Sequence, residues 1–198
     1  MARSAVSASD VTAYLTKLVK NPNFVNDASG AGLAGIQNGT IDAYFSGSWD
    51  AANVKKALAA NYGAAQPPTY TLNGSSVQMK AFAGSKAVAF NPNAKSPKAA
   101  AAFAAFLGST QAQQDHYDMR GIIPADKSLA SSSSITSDPV AVAQMNTVAN
   151  ASILQPTVPA MANFWDPTTA FGKGLVTGDV TAANAAAKTA AWNTSLGS

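Results

Sequence analysis

From Ser9 to Asn21 the apolar residues Val11, Tyr14, Leu15, Leu18 and Val19 recur at helical spacing. Ser9 or Asp10 is available as the N-cap, and the helix is expected to end before Pro22. GLAGIQNGTIDAYFSGSW then reads as a helical or turn approach, an Asn38-Gly39 turn and a short strand through Ile41, Ala43 and Phe45. Helical spacing resumes from Asp50 to Ala60 through Val54 and Leu58. Pro67-Pro68 and the Asn73-Gly74 turn predict a loop and a hairpin, and Ala87 to Phe90 predict a buried strand.

The second half is better punctuated. Ser96 as N-cap, Pro97 at the first helical position and Gly108 as terminator bound KAAAAFAAFL, which is expected to bury Phe103, Phe106 and Leu107 on one face. Ser109 or Thr110 caps TQAQQDHYDMR, which Gly121 ends before an extended segment, IIPADKSL. SLASSSSITSDP is the one low-complexity stretch and predicts a flexible surface loop. Asp138-Pro139 opens a helix through Val142, Met145 and Val148. Two more helices are expected, from about Asn163 to Val176 and from Thr181 to Trp192, while LGS reads as a tail.

Composition narrows the chemistry. The 198 residues include no cysteine, one histidine (His116), no glutamate and only 12% charged residues, so most catalytic constellations have no parts to draw on. Ser85 sits in Gly84-Ser85-Lys86 without a G-x-S-x-G elbow. Carboxylate pairs for glycoside hydrolysis would have to come from Asp42, Asp50, Asp166 or Asp179. Catalytic residues, metal ligands and cofactors are therefore all expected to be absent, and His116 reads as a solvated residue. Lys55, Lys56, Lys95 and Lys98 read as solvated helix faces, and a net charge of +3 from scattered residues argues against nucleic acid as a partner. No apolar run reaches the ~18 residues of a membrane span. MARSAV is not followed by an apolar segment, so no signal peptide is expected within this sequence.

What remains is a pair of tryptophans at loop-to-helix junctions, Trp49 in FSGSWDAANVKKAL and Trp165 in QPTVPAMANFW. A flat apolar face at such a junction can meet a ligand, and free N–H groups at a helix start can bind oxygen atoms. Packing stays an open alternative at both: Trp165 against Phe164 in a core, Trp49 as a hydrophobic staple. Trp192 reads as packing.

The order YFSGSWDAANV, then KAFAGSKAVAFNPNAKSPKAAAAFAAFLGSTQAQQDHYDMRGIIPA, then QPTVPAMANFWDPTTAFGKGLVTGDVTAANAAAKTAAW resembles the C-terminal half of a family 1 extracellular solute-binding protein. These are the maltose-binding-protein-like sugar receptors of bacterial ABC importers. The resemblance implies an α/β, periplasmic-binding-protein-like fold of type II, here partial, helix-rich and with a small mixed sheet. It implies that 1–80 and 130–198 belong to the C-terminal lobe and 81–129 to the N-terminal lobe, with crossings near Phe82 to Ala89 and Ile122 to Leu129. It implies a maltose- or malto-oligosaccharide-type ligand stacked on Trp49 and Trp165, with Asp50, Asn163 and Asp166 as polar neighbours. Where such receptors follow the second tryptophan with tyrosine and then arginine, this chain has Asp166, Pro167, Thr168 and Thr169. The implied partners are an ABC importer permease in the full-length parent, which would be extracellular as an anchored lipoprotein or periplasmic. Half of a two-lobed fold leaves apolar faces uncovered, so self-association, domain swapping or a non-binding structural role forms the alternative expectation.

Overall fold

The computed structural model describes residues 9–27 and 30–196, so the expectations for MARSAV and for the last two residues of the tail fall outside it. In chain order the helices and strands are α1 (Ser9–Leu18), α2 (Gly32–Asn38), α3 (Ala51–Leu58), β1 (Thr69–Leu72), β2 (Ser75–Gln78), β3 (Ala81–Ala83), α4 (Pro97–Leu107), α5 (Thr110–Arg120), α6 (Ser133–Thr136), α7 (Pro139–Asn150), β4 (Ser152–Leu154), α8 (Trp165–Thr177) and α9 (Ala185–Ser195). Among the described residues they divide into two compact units, one drawn from 9–27, 30–32, 70–77 and 156–196, the other from 33–69 and 78–155.

In the first unit α1 packs on α9 and α8. The expected apolar face of α1 is only half-buried, and its deepest positions are Thr12 and Thr16, each 3% exposed. The reason is the partner: Thr189 and Ala185 on α9 are small enough for close approach, and the hydroxyls of Thr12 and Thr189 meet at 2.6 Å. Thr189 in turn donates to the Ala185 carbonyl at 2.7 Å, so Thr12 supplies the proton of the inter-helix bond. The hairpin β1–β2 turns at Asn73 and Gly74, which take φ values of +50° and +78°, as a two-residue turn of this kind requires. Asn73 Nδ2 donates to Asp10 Oδ2 at 2.8 Å and the Tyr14 and Tyr70 rings meet at 4.6 Å, tilted by 35°, so the hairpin is tied to the first turns of α1.

In the second unit the core gathers Tyr117, Ile135 and Ala141, with Ile123, Leu129 and Met145 packed against them. The serine-rich stretch is thus not a flexible loop: it carries a turn at Lys127–Leu129 and α6, and Ile135 is fully buried. One isoleucine among serines is enough to dock it, because the neighbouring Asp138 bonds on both sides. Asp138 Oδ1 accepts from the Val140 N–H at 3.1 Å, capping α7, and Oδ2 accepts from the Tyr117 hydroxyl at 3.0 Å. Gln113 on α5 accepts from the N–H groups of Ala125 and Asp126, both at 2.9 Å, so Ile122 to Leu129 is pinned to α5 and ends in a turn where an extended run was expected. Hydrogen bonds from Thr110 and Ser128 hold the Asp126 carboxyl below the usual carboxylate range.

Strand β3 pairs in parallel with β4, Ala81 opposite Ser152, Phe82 opposite Ile153 and Ala83 opposite Leu154. No third strand joins them among the described residues. The strand expected through Ile41, Ala43 and Phe45 does not form, and the one expected at Ala87 to Phe90 is irregular, with Val88 and Phe90 exposed. Both segments lack a neighbouring strand to pair with. Helix α4 begins and ends where expected, yet Phe103 and Phe106 are 61% and 55% exposed instead of buried. Pro97 at the first helical position and Gly108 past the last mark the helix locally, although the Ser96 side chain makes no cap hydrogen bond, whereas burial needs a partner surface.

Ile135→Ala is expected to lower the unfolding free energy of this unit by about 2–5 kcal/mol, and Phe106→Ala by under about 1 kcal/mol, in chemical denaturation followed by circular dichroism. Equal losses would contradict the assignment of the core. Tyr117 tests the Asp138 link. Burial, then the Asp138 hydrogen bond and charge, push its hydroxyl up from 10.0 to about 12. The neutral phenol is the favoured form in the fold, so its stabilisation is fully present below pH 10 and is lost as pH rises towards about 12. The denaturation midpoint should fall more steeply over that window in the wild type than in Tyr117→Phe.

Candidate functional site

The first aromatic group lies in the second unit. Trp49 occupies a single 3-10 turn, Ser48–Asp50, that feeds directly into α3, and its side chain is 79% exposed. It is neither core nor staple. Asp50 turns its carboxylate back along the chain, where Oδ2 accepts from the Tyr44 hydroxyl at 2.9 Å and from the Ser46 hydroxyl. The irregular stretch from Tyr44 to Asp50 is therefore a closed polar loop in place of the expected strand end. Tyr44, Ser46 and Gly47 were not singled out by sequence. The signal was there in the small residues of Ser46-Gly47-Ser48, but spacing alone does not say which of them meets the ring.

The second group lies in the first unit. Val158 leads into a 3-10 turn, Pro159–Phe164, which continues without a break into α8 at Trp165. Pro159 suits this start because it has no N–H to leave unsatisfied. Asn163 is exposed on the turn, and Trp165 is 50% exposed with its ring edge-on to Phe164 at 5.3 Å and 84°. Asp166 sits in the first turn of α8, where the helix dipole favours a negative charge. It also lines the apolar groove between α8 and α9, with Phe171, Lys173, Lys188 and Trp192. Phe171 and Trp192 stack at 4.8 Å and 20°, so Trp192 packs, as its position predicts.

The five sequence-selected residues thus fall into two groups, Trp49 with Asp50 and Asn163 with Trp165 and Asp166, carried by different units. Each joins an aromatic face to hydrogen-bonding side chains at a turn-to-helix junction. That combination suits a ligand with alternating apolar C–H faces and hydroxyls. His116 is exposed on α5, and no cluster of three potential metal ligands occurs among the described residues.

Residues 6–144 match the family described as bacterial extracellular solute-binding protein. The chain belongs to that family. The maltooligosaccharide ABC transporter solute-binding lipoprotein of Streptococcus pneumoniae is 32% identical over 151 residues, which are 75% of this chain and 34% of that protein. A solved structure described as being with acarbose superposes with a TM-score of 0.86 at 42% identity, covering 95% of this chain and 50% of its own. The maltodextrin-binding protein from L. casei BL23, solved without ligand, gives a TM-score of 0.82 at 28% identity, covering 98% and 53%. This solute-binding-protein chain therefore spans between a third and about half of the length of the relatives it matches, and its partial, helix-rich periplasmic-binding-protein-like fold is theirs.

Proposed function

We propose that the chain is part of a malto-oligosaccharide receptor of a bacterial ABC importer, in which Trp49 and Trp165 act as aromatic plates for glucose rings, Asn163 and Asp166 as hydroxyl partners, and Asp50 as the tie of the loop that carries Trp49. The observation that carries the reading is the exposure of Trp49, 79% open at the head of α3 inside a loop tied by its own carboxylate. A tryptophan costs apolar surface in water unless something covers it. A pyranose covers it well, because its C–H face gains dispersion while its rim of hydroxyls stays hydrogen-bonded. The names of the pneumococcal relative and of the L. casei protein support the sugar class. The same relatives support a binding role without turnover, extracellular placement as a lipoprotein, and an ABC permease as the partner of the whole receptor. For the whole receptor we propose the lobe assignment of 1–80 and 130–198 against 81–129, whereas the compact units of this chain are drawn differently, with 33–69 and 130–155 grouped with 78–129.

Titration with maltotriose is expected to shift the intrinsic tryptophan fluorescence at millimolar sugar, since a partial receptor forgoes much of the contact surface of a whole one. Trp49→Ala and Trp165→Ala should each reduce the shift, and Trp192→Phe should leave it. No shift at millimolar maltotriose would overturn the reading for this chain.

A second reading rests on a different observation. Phe103, Phe106 and Leu154 are 61%, 55% and 81% exposed in the second unit, which also holds the two-stranded β3–β4 sheet. Apolar surface of that kind, beside strands with open edges, favours self-association or an exchange of elements between copies. Light scattering coupled to size exclusion should then give a mass above 20.0 kDa, and a compact monomer would remove this reading.

A further inference from the structure

Gly47 has extended backbone, φ −116° and ψ 175°, which any residue adopts. Its conformation gives no reason for glycine. Its surroundings do: a Cβ placed there would run into Cζ3, Cη2 and Cε3 of the Trp49 indole. The ring is folded back over the main chain two residues upstream and still leaves 79% of the side chain exposed. The Cε3–Cζ3–Cη2 edge of the indole lies against Gly47, and the rest of the ring is open.

The loop beneath the ring is held by one oxygen. Asp50 Oδ2 accepts from Tyr44 at 2.9 Å and from Ser46, so the residues on either side of Gly47 and Trp49 are drawn together. An oxygen with two donors inside its own loop has little capacity left for a ligand. From this geometry we infer that Gly47 and Asp50 are positioning residues: Gly47 provides the seat and Asp50 the clamp that fix the Trp49 indole as a preorganised plate for the C–H face of an oligosaccharide ring. A side chain already held loses less rotamer freedom when the sugar arrives. A larger residue at 47 would push the ring off its seat. Because the ring is the far end of a side chain otherwise open to water, the push would relocate the indole and leave the fold intact.

This inference rests on the sugar-binding reading above, and the experiment separates the two. The full chain is labelled with 5-fluorotryptophan, and its three fluorine resonances are assigned from Trp49→Phe, Trp165→Phe and Trp192→Phe. Gly47→Ala is expected to move the Trp49 resonance alone, to hold the thermal midpoint within about 2 °C, and to weaken the maltotriose response of that resonance about tenfold or more. Asp50→Ala should broaden the Trp49 resonance and weaken the response, and Asp50→Asn, which keeps an acceptor oxygen, should restore most of it. A Trp49 resonance that Gly47→Ala does not move overturns the seat. Unchanged maltotriose affinity in both Gly47→Ala and Asp50→Ala overturns the positioning role. A wild-type chain in which maltotriose moves no resonance overturns the binding reading, and with it the ligand-facing purpose of the plate.

Discussion

Hydrogen bonds made by aspartate, some to the next turn and some across the chain, hold the irregular parts of this structure in place. Asp10 bonds Asn73, Asp50 bonds Tyr44 and Ser46, Asp126 bonds Thr110 and Ser128, and Asp138 bonds Tyr117 while capping α7. The side chain is well suited to this, since its carboxylate is close enough to the main chain to satisfy N–H groups two residues on. A chain with ten acidic residues, all of them aspartate, has spent several of its few carboxylates on loops and helix starts. Trp49 stands at the end of one of those loops, so what the surface presents there follows from how the turn beneath is tied.

Burial works on a small scale. Apart from Ile135, the fully buried positions are mostly alanine or threonine, and the α1–α9 contact is closed by two threonine hydroxyls. Larger apolar side chains on α4, on β4 and in the 84–90 stretch remain open to water. Close helix packing of small residues gives order without a large hydrophobic contribution, because apolar stabilisation scales with the area removed from water.

Local signals in the sequence carried most of the helices. Ser109, Pro97, Asp138 and Gly121 mark their ends by capping chemistry that needs no distant partner, and the Asn73-Gly74 hairpin is fixed by backbone conformation in the same way. What depended on partners was not legible. Alternation at Ala87 to Phe90 and the apolar face of α4 signal burial, but burial is a property of two surfaces. Ile135 was missed for the opposite reason: its serine neighbours read as a loop, and only Tyr117 and Asp138, brought in from α5 and from the start of α7, make the segment a core. At the candidate site the tryptophans stood out because large aromatics at polar turns are conspicuous. Gly47 did not, since a glycine in a loop ordinarily reports conformation and here reports the proximity of a ring.

The central claim is that the face of Trp49 left open by this fold is a sugar-binding face. Saturation-transfer difference NMR on the full chain with maltotriose tests it at the level of atoms. The account predicts transfer concentrated on the ring C–H protons of one glucose face and its loss in Trp49→Ala. Transfer that persists undiminished in Trp49→Ala, or none at all with the wild-type chain, would contradict it.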